Sequence, residues 1–175
     1  MDVDKVKPSG DTRNVDSQRS PSVVDAIAAF ARLAPKPYLQ SLFKKVMQRL
    51  LVASQSDEVE TEKICALLEL FQALVTSQAL DDASVSFLYR AIKPLIRTNE
   101  HEARVQKRAY KVLLEICKCH PSFVTEPALL EELTALLLDA IMTSQVSARH
   151  MRLKCMALIV EGFDGANADH AVSNI

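Results

Sequence analysis

Glycine is nearly missing from this chain, at three residues in 175. Tight β-hairpins and phosphate-cradling loops both rely on glycine's access to positive φ, so neither has much to be built from, and an α/β fold is not expected. Long hydrophobic runs are missing too. The most apolar stretch, Leu129 to Met142, is shorter than a bilayer-spanning helix and carries Glu131, Glu132 and Asp139. It therefore reads as a buried helix, and insertion into a membrane is excluded. The first twenty residues alternate Asp, Lys, Ser and Pro without an apolar core, so no secretory signal is expected and the chain should stay in a reducing compartment.

Catalytic signatures are equally scarce. No His-Glu-x-x-His helix, Gly-x-Ser-x-Gly elbow or paired zinc motif occurs. His101, His120, His150 and His170 are scattered near helix ends or in the tail, where solvated or capping histidines are far commoner than catalytic ones. Cys117-Lys-Cys119-His120 has the look of a metal half-site. Residues two apart on a helix point about 200° apart, however, and no second ligand pair follows at zinc-finger spacing. Cys65, Cys117, Cys119 and Cys155 all fall inside helical patterns and read as small reduced core or flank residues. The expectation is a protein that is not an enzyme, with no catalytic residue, cofactor or metal.

What the chain does have is a large apolar fraction, 49%, at a formal net charge of −1, enough for one substantial shared core. Residues 1–20 offer almost no large apolar side chain and are expected to form a disordered tail. From Ser22 onward apolar residues recur at helical spacing. Leu39, Leu42, Phe43, Val46, Met47, Leu50 and Leu51 form one stripe of a helix from about Pro37 to Ala53. Ile64, Leu67, Leu68, Phe71, Leu74 and Val75 define a helix from about Asp57 to Ser77, and Val85, Leu88, Tyr89, Ile92, Leu95 and Ile96 another from about Ser84 to Arg97, which Pro94 should kink. Asn99 and Glu102 make a capping-box-like start for a helix that carries Val105, Ala109, Val112, Leu113 and Ile116 and ends at Pro121. Thr125, Glu126 and Pro127 open a further helix to about Met142, and Ser147 opens one to about Phe163. A shorter helix over about Ser22 to Ala34 leads into the set.

The spacing of these helices carries the fold assignment. Starts near residues 38, 84 and 128, and near 57, 102 and 148, recur about every 45 positions, the period of HEAT and armadillo helical pairs. Superposing the second helix of each pair aligns Ile64 with Ala109 and Cys155, and Leu68 with Leu113 and Ile159, so the core face repeats. Lys63, Arg108 and Lys154 align as well, with Asp57 and Glu102 six residues before the first two. That pattern resembles the HEAT ladder, in which an acidic and a basic residue join neighbouring repeats; Ala148 breaks its acidic half in the third unit. The expected fold is all-α, a right-handed α-solenoid of HEAT/armadillo-type helical hairpins over residues 21–164, followed by a flexible C-terminal tail over 165–175. Ending the stack there should leave Leu153 and Met156 on an uncapped apolar edge suited to self-association.

Two basic clusters fall on second helices of their pairs. Arg104, Lys107, Arg108 and Lys111 stand at i, i+3, i+4 and i+7, and Arg149, His150, Arg152 and Lys154 crowd the next such helix. A HEAT-like stack would put both on one side, where Arg104, Lys107, Lys111, Arg149 and Arg152 could follow a phosphate backbone or an acidic protein segment. The plainer reading is a solvated face with Arg108 and Lys154 occupied by the ladder, since no aromatic platform for base stacking lies in the stripe.

Three segments carry a family resemblance: Phe87-Leu-Tyr-Arg-Ala-Ile-Lys-Pro-Leu-Ile-Arg, Val105-Gln-Lys-Arg-Ala-Tyr-Lys-Val-Leu-Leu-Glu-Ile, and Ser147-Ala-Arg-His-Met-Arg-Leu-Lys-Cys. Over roughly residues 38–164 the chain resembles the ribosomal RNA-processing protein 12 family of HEAT-repeat proteins. The resemblance implies a nuclear and nucleolar scaffold of ribosome biogenesis. Such a scaffold accompanies pre-ribosomal particles through maturation and export, in contact with particle proteins, RNA and nuclear-transport components. Family members are longer solenoids and the resemblance stops near Phe163, so a fragment or truncated member is expected. The alternative is a protein-only adaptor, an importin-like or phosphatase-scaffold-like module whose groove takes a peptide; nuclease-resistant, salt-insensitive capture of one protein would distinguish it.

Overall fold

The computed structural model describes the backbone of residues 16–55, 60–97 and 103–172, and the side chains within 23–55, 60–97 and 103–161. Every element in these residues is a helix: α1 (Asp16–Leu33), α2 (Lys36–Ser54), α3 (Thr61–Thr76), α4 (Asp82–Arg97), α5 (Ala103–Cys119), α6 (Pro121–Thr125), α7 (Pro127–Asp139) and α8 (Val146–Val172). No strand occurs among the described residues.

The helices differ in how much of their circumference is apolar, and that difference sorts them into layers. In α4 the buried residues Val85, Leu88, Tyr89, Ile92, Leu95 and Ile96 keep to one stripe, as Leu39, Phe43, Val46, Met47 and Leu50 do in α2. Helices of this kind cover a core from one side. By contrast α3 buries Ile64, Cys65, Leu67, Leu68, Phe71, Ala73, Leu74 and Val75, and α5 is as deeply enclosed. A helix buried around most of its girth needs neighbours on several sides. Packing supplies them: α3 touches α1, α2 and α5, and α5 touches α3, α4, α6 and α8.

The resulting row α1–α3–α5–α8 is faced by α2, α4 and α7, each packed on the helix that follows it as a pair or, for α7 and α4, on each other. End helices α1 and α8 make no extensive contact, as expected where each hairpin leans on its neighbour instead of closing a bundle. The arrangement is all-helical and consistent with an α-solenoid.

Three features depart from the periodic reading. First, α1 is part of the row: Val24 and Ala28 pack against Ala73 of α3. Second, α1 begins at Asp16 and α8 ends at Val172, so they include residues 16–20 and 165–172, which composition alone places in tails. Third, α6 is a single turn whose Phe123 is buried edge-on to Tyr89, ring centroids 5.0 Å apart. Five residues are too few to show a period. As the spacing leads one to expect, α4 runs to Arg97 with Pro94 inside it; an exposed proline one turn from the helix end costs a single backbone bond. The capping box expected at Asn99 and Glu102 lies outside the described residues.

Candidate nucleic-acid interface

The core face of α5, with Val105, Ala109, Val112, Leu113 and Ile116 fully buried, fixes where its basic stripe points. Residues at i, i+3, i+4 and i+7 on the other side, Arg104, Lys107, Arg108 and Lys111, are left toward solvent. They do not share one fate. Arg104 pairs with Glu62 of α3, and Arg108 pairs with Glu69 about two turns further along that helix. Lys107 is exposed. Burial, and then the nearby Arg108 and Lys107, pull the Lys111 ammonium below its ordinary pKa, with Glu69 opposing.

On α8 the four basic residues also divide. Ala148 and Cys155 are fully buried against α5, and the Cys155 thiol lies 3.9 Å from the Tyr110 carbonyl. Arg149 donates through Nε to the Ser144 carbonyl at 3.4 Å and keeps an exposed head. His150 and Lys154 are exposed. Arg152 is turned inward, 8% exposed, and donates to the Leu137 carbonyl at 3.0 Å. It holds the end of α7 and the structure does not bring it to the surface formed by the others.

The expected ladder residues fall as follows. Lys63 pairs within its own helix with Glu60 at 2.5 Å, Arg108 pairs with Glu69, and Lys154 is exposed. Asp57 and Glu102 lie outside the described residues. The rungs seen between α3 and α5 are Glu62–Arg104 and Glu69–Arg108. Between α4 and α7, Lys93 meets Glu132 and Arg97 meets Asp139 at 3.3 Å. In both seams two cations four apart face two carboxylates seven apart.

The α5–α8 seam lacks this neutralisation. In the alignment of second helices, Glu62 and Glu69 correspond to Lys107 and Leu114 of α5, while Arg104 and Arg108 correspond to His150 and Lys154 of α8. Where α3 offers α5 two carboxylates, α5 offers α8 a cation and a leucine. Among the described residues Lys107, Lys111, Arg149, His150 and Lys154 enter no ion pair. They lie on α5 and the first turns of α8, two helices that pack on each other.

One residue of the site escaped sequence reading. Gln106 is fully buried. Its Nε2 donates to the Ile96 carbonyl at 3.0 Å and the Thr143 carbonyl at 3.3 Å, and its Oε1 accepts from the Gln145 N–H at 2.7 Å. It ties the end of α4 to the turn that launches α8, and so sets the basic end of α8 against α5. Its position in phase with Ala109, Tyr110 and Leu113 was the available signal. Nearby, the Tyr110 hydroxyl lies 3.2 Å from Ser144 Oγ, which donates to the Ala140 carbonyl at 2.6 Å.

The thiols are unbridged, and burial raises the pKa of each, that of Cys117 to about 12. Such groups stay neutral and are poor nucleophiles at neutral pH. Among the described residues no three His, Cys, Asp or Glu side chains gather as metal ligands, and no helix is long and apolar enough to cross a membrane.

The chain is similar to the RRP12-like protein of Homo sapiens, 30% identical over 141 residues that make up 79% of this chain and 10% of that protein. It is 32% identical over 147 residues to the RRP12-like protein of Gallus gallus, covering 83% of this chain and 11% of that one. The chain belongs to the RRP12-like family as a partial member. It spans about a tenth of the length of the curated relatives it matches. No family model matches it, and no solved structure does. Within this RRP12-like chain the basic strip lies inside the segments whose residues carry the resemblance, on α5 and the first turns of α8.

Proposed function

We propose that this chain is a non-catalytic scaffold module of ribosome biogenesis, built as a right-handed stack of HEAT-type hairpins, whose α5–α8 strip binds RNA of pre-ribosomal particles in the nucleus and nucleolus. The observation that carries this reading is the missing pair of carboxylates in one seam. Lys107, Lys111, Arg149 and Lys154 are left with charge to offer a phosphate backbone, while Arg104 and Arg108 pair with Glu62 and Glu69. The family's name supports the particle, and the forty-residue spacing of the ion-pair rungs supports the repeat. Contacts to particle proteins and to nuclear-transport components belong to the same reading. Exposed Leu153 and Val160 on the outer side of α8 offer a place for a further repeat, a partner or a second copy to pack.

Co-sedimentation of the tagged chain with pre-ribosomal particles from nuclear extract tests the proposal. The wild-type chain is expected in particle fractions and to leave them on nuclease treatment. A Lys107→Glu, Lys111→Glu, Lys154→Glu variant should remain at the top of the gradient. Particle association that survives both treatments unchanged would overturn an RNA-binding strip.

A further inference from the structure

Another surface, on different helices, has the features of a docking site. Between α2 and α4 a chamber of about 590 Å³ opens, floored by Phe43, Met47 and Leu51 and walled by Phe87. A second chamber of about 420 Å³ shares Gln40, Asp81 and Ser84 with the first and runs toward Arg32 and Lys36. Together they make a trough, each part within the size range of roughly 300–1,000 Å³ typical of binding sites. Its floor is preformed, since Phe43 stands edge-on to fully buried Phe71 at 5.6 Å between centroids. Phe87 is anomalous on its own helix: the other large apolar side chains of α4 are buried, and it is 51% exposed.

Charge says what kind of partner fits. Helix α2 carries Lys36, Lys44, Lys45 and Arg49 and no acidic residue, and none of these cations enters an ion pair among the described residues. The one acid lining the trough, Asp81, is engaged: its carboxylate accepts the Ser84 N–H at 2.8 Å and caps α4. Lys44 of α2 lines the first chamber, and Lys36 with Arg32 of α1 the second, so an incoming carboxylate meets mostly positive charge. Shape narrows the choice further. The sites at Phe43, Met47 and Leu51 are four apart on a helix and span about 12 Å, which matches anchors at i, i+4 and i+7 of a second helix. No strand edge is present among the described residues to accept an extended peptide.

We infer that this trough docks an acidic amphipathic helix of a partner protein, its apolar side chains in the Phe43–Met47–Leu51–Phe87 chamber and its carboxylates over Lys36 and Lys44. The inference does not depend on the RNA-binding role of the α5–α8 strip. A fluorescein-labelled synthetic peptide of about fourteen residues, with Leu and Phe at i, i+4 and i+7 and Glu elsewhere, serves as the probe. The same peptide with Lys for Glu is its control.

Titrated into the full chain and followed by anisotropy, the Glu peptide should bind at least about tenfold more tightly than the Lys peptide. Phe87→Glu, at a half-exposed position, should weaken it by about tenfold or more, and Lys36→Glu with Lys44→Glu should abolish the preference between peptides. Lys107→Glu with Lys154→Glu should leave it unchanged, which separates this site from the RNA strip. Equal binding of both peptides, or affinity indifferent to Phe87→Glu, overturns the proposal. So does a homodimer that Phe87→Glu dissociates, which would make the occupant a second copy, or Phe87-dependent displacement of the peptide by a uridine oligonucleotide, which would make it a nucleic acid.

Discussion

Gln106 closes the seam between two helical pairs with three hydrogen bonds to backbone groups that sit 10, 37 and 39 residues away in the chain. Replacing it with leucine keeps the volume and removes every polar contact, so the cost isolates the bonds from any cavity. Buried backbone groups without partners cost roughly 1–3 kcal/mol each, and the Gln106→Leu variant should lose about 2–4 kcal/mol of unfolding free energy in urea. A loss below about 0.5 kcal/mol would show that water replaces the amide. The thiols make a second prediction at this scale. An unfolded Cys117 ionises near its ordinary 9.0, and the folded one only near 12. The unfolded state thus releases its proton first, and stability present below pH 9 falls as pH rises toward 12. Calorimetry should show that slope flattened by Cys117→Ala, and iodoacetamide at neutral pH should spare Cys117 and Cys155 until denaturant is added.

At the scale of elements, the helices with a clean stripe were legible in the chain: α2, α3, α4 and α5 lie within a few residues of where Leu39–Leu51, Ile64–Val75, Val85–Ile96 and Val105–Ile116 place them. What periodicity could not show is what depends on a neighbour. The partner of Arg104 is Glu62, 42 residues away, and nothing local to either residue predicts that two helices so separated lie side by side. Burial of Arg152 under α7 hides for the same reason, because a basic residue beside exposed ones reads as another exposed one. Of the residues expected on one surface, Arg104 is therefore engaged by Glu62 and Arg152 by the Leu137 carbonyl. One helix end is also informative. Gln78 follows α3 at φ 56°, in the left-handed region, with its N–H donating to the Val75 carbonyl at 2.9 Å. A residue with a Cβ pays there what glycine does not, so Gln78→Gly should raise the urea midpoint, by about 0.5–1 kcal/mol of stability, at unchanged m-value.

At the scale of the whole molecule, a row of helices buried on several sides and a second layer of amphipathic ones produce two long surfaces with different chemistry. Ion-pair rungs neutralise α3 against α5 and α4 against α7, and the α5–α8 seam is left basic. With a net charge of −1, the molecule as a whole would not attract nucleic acid, so affinity must come from a local basic surface, and the strip variant separates the α5–α8 surface from the α2 cations. The salt dependence of binding to a single-stranded RNA measures it. Each neutralised phosphate contributes about −0.7 to the slope of log K against log salt, so four lysine and arginine contacts predict a slope near −3. The Lys107→Glu, Lys111→Glu, Lys154→Glu variant should reduce that slope by about 2 along with the affinity. A variant whose slope and affinity match the wild type would contradict the account.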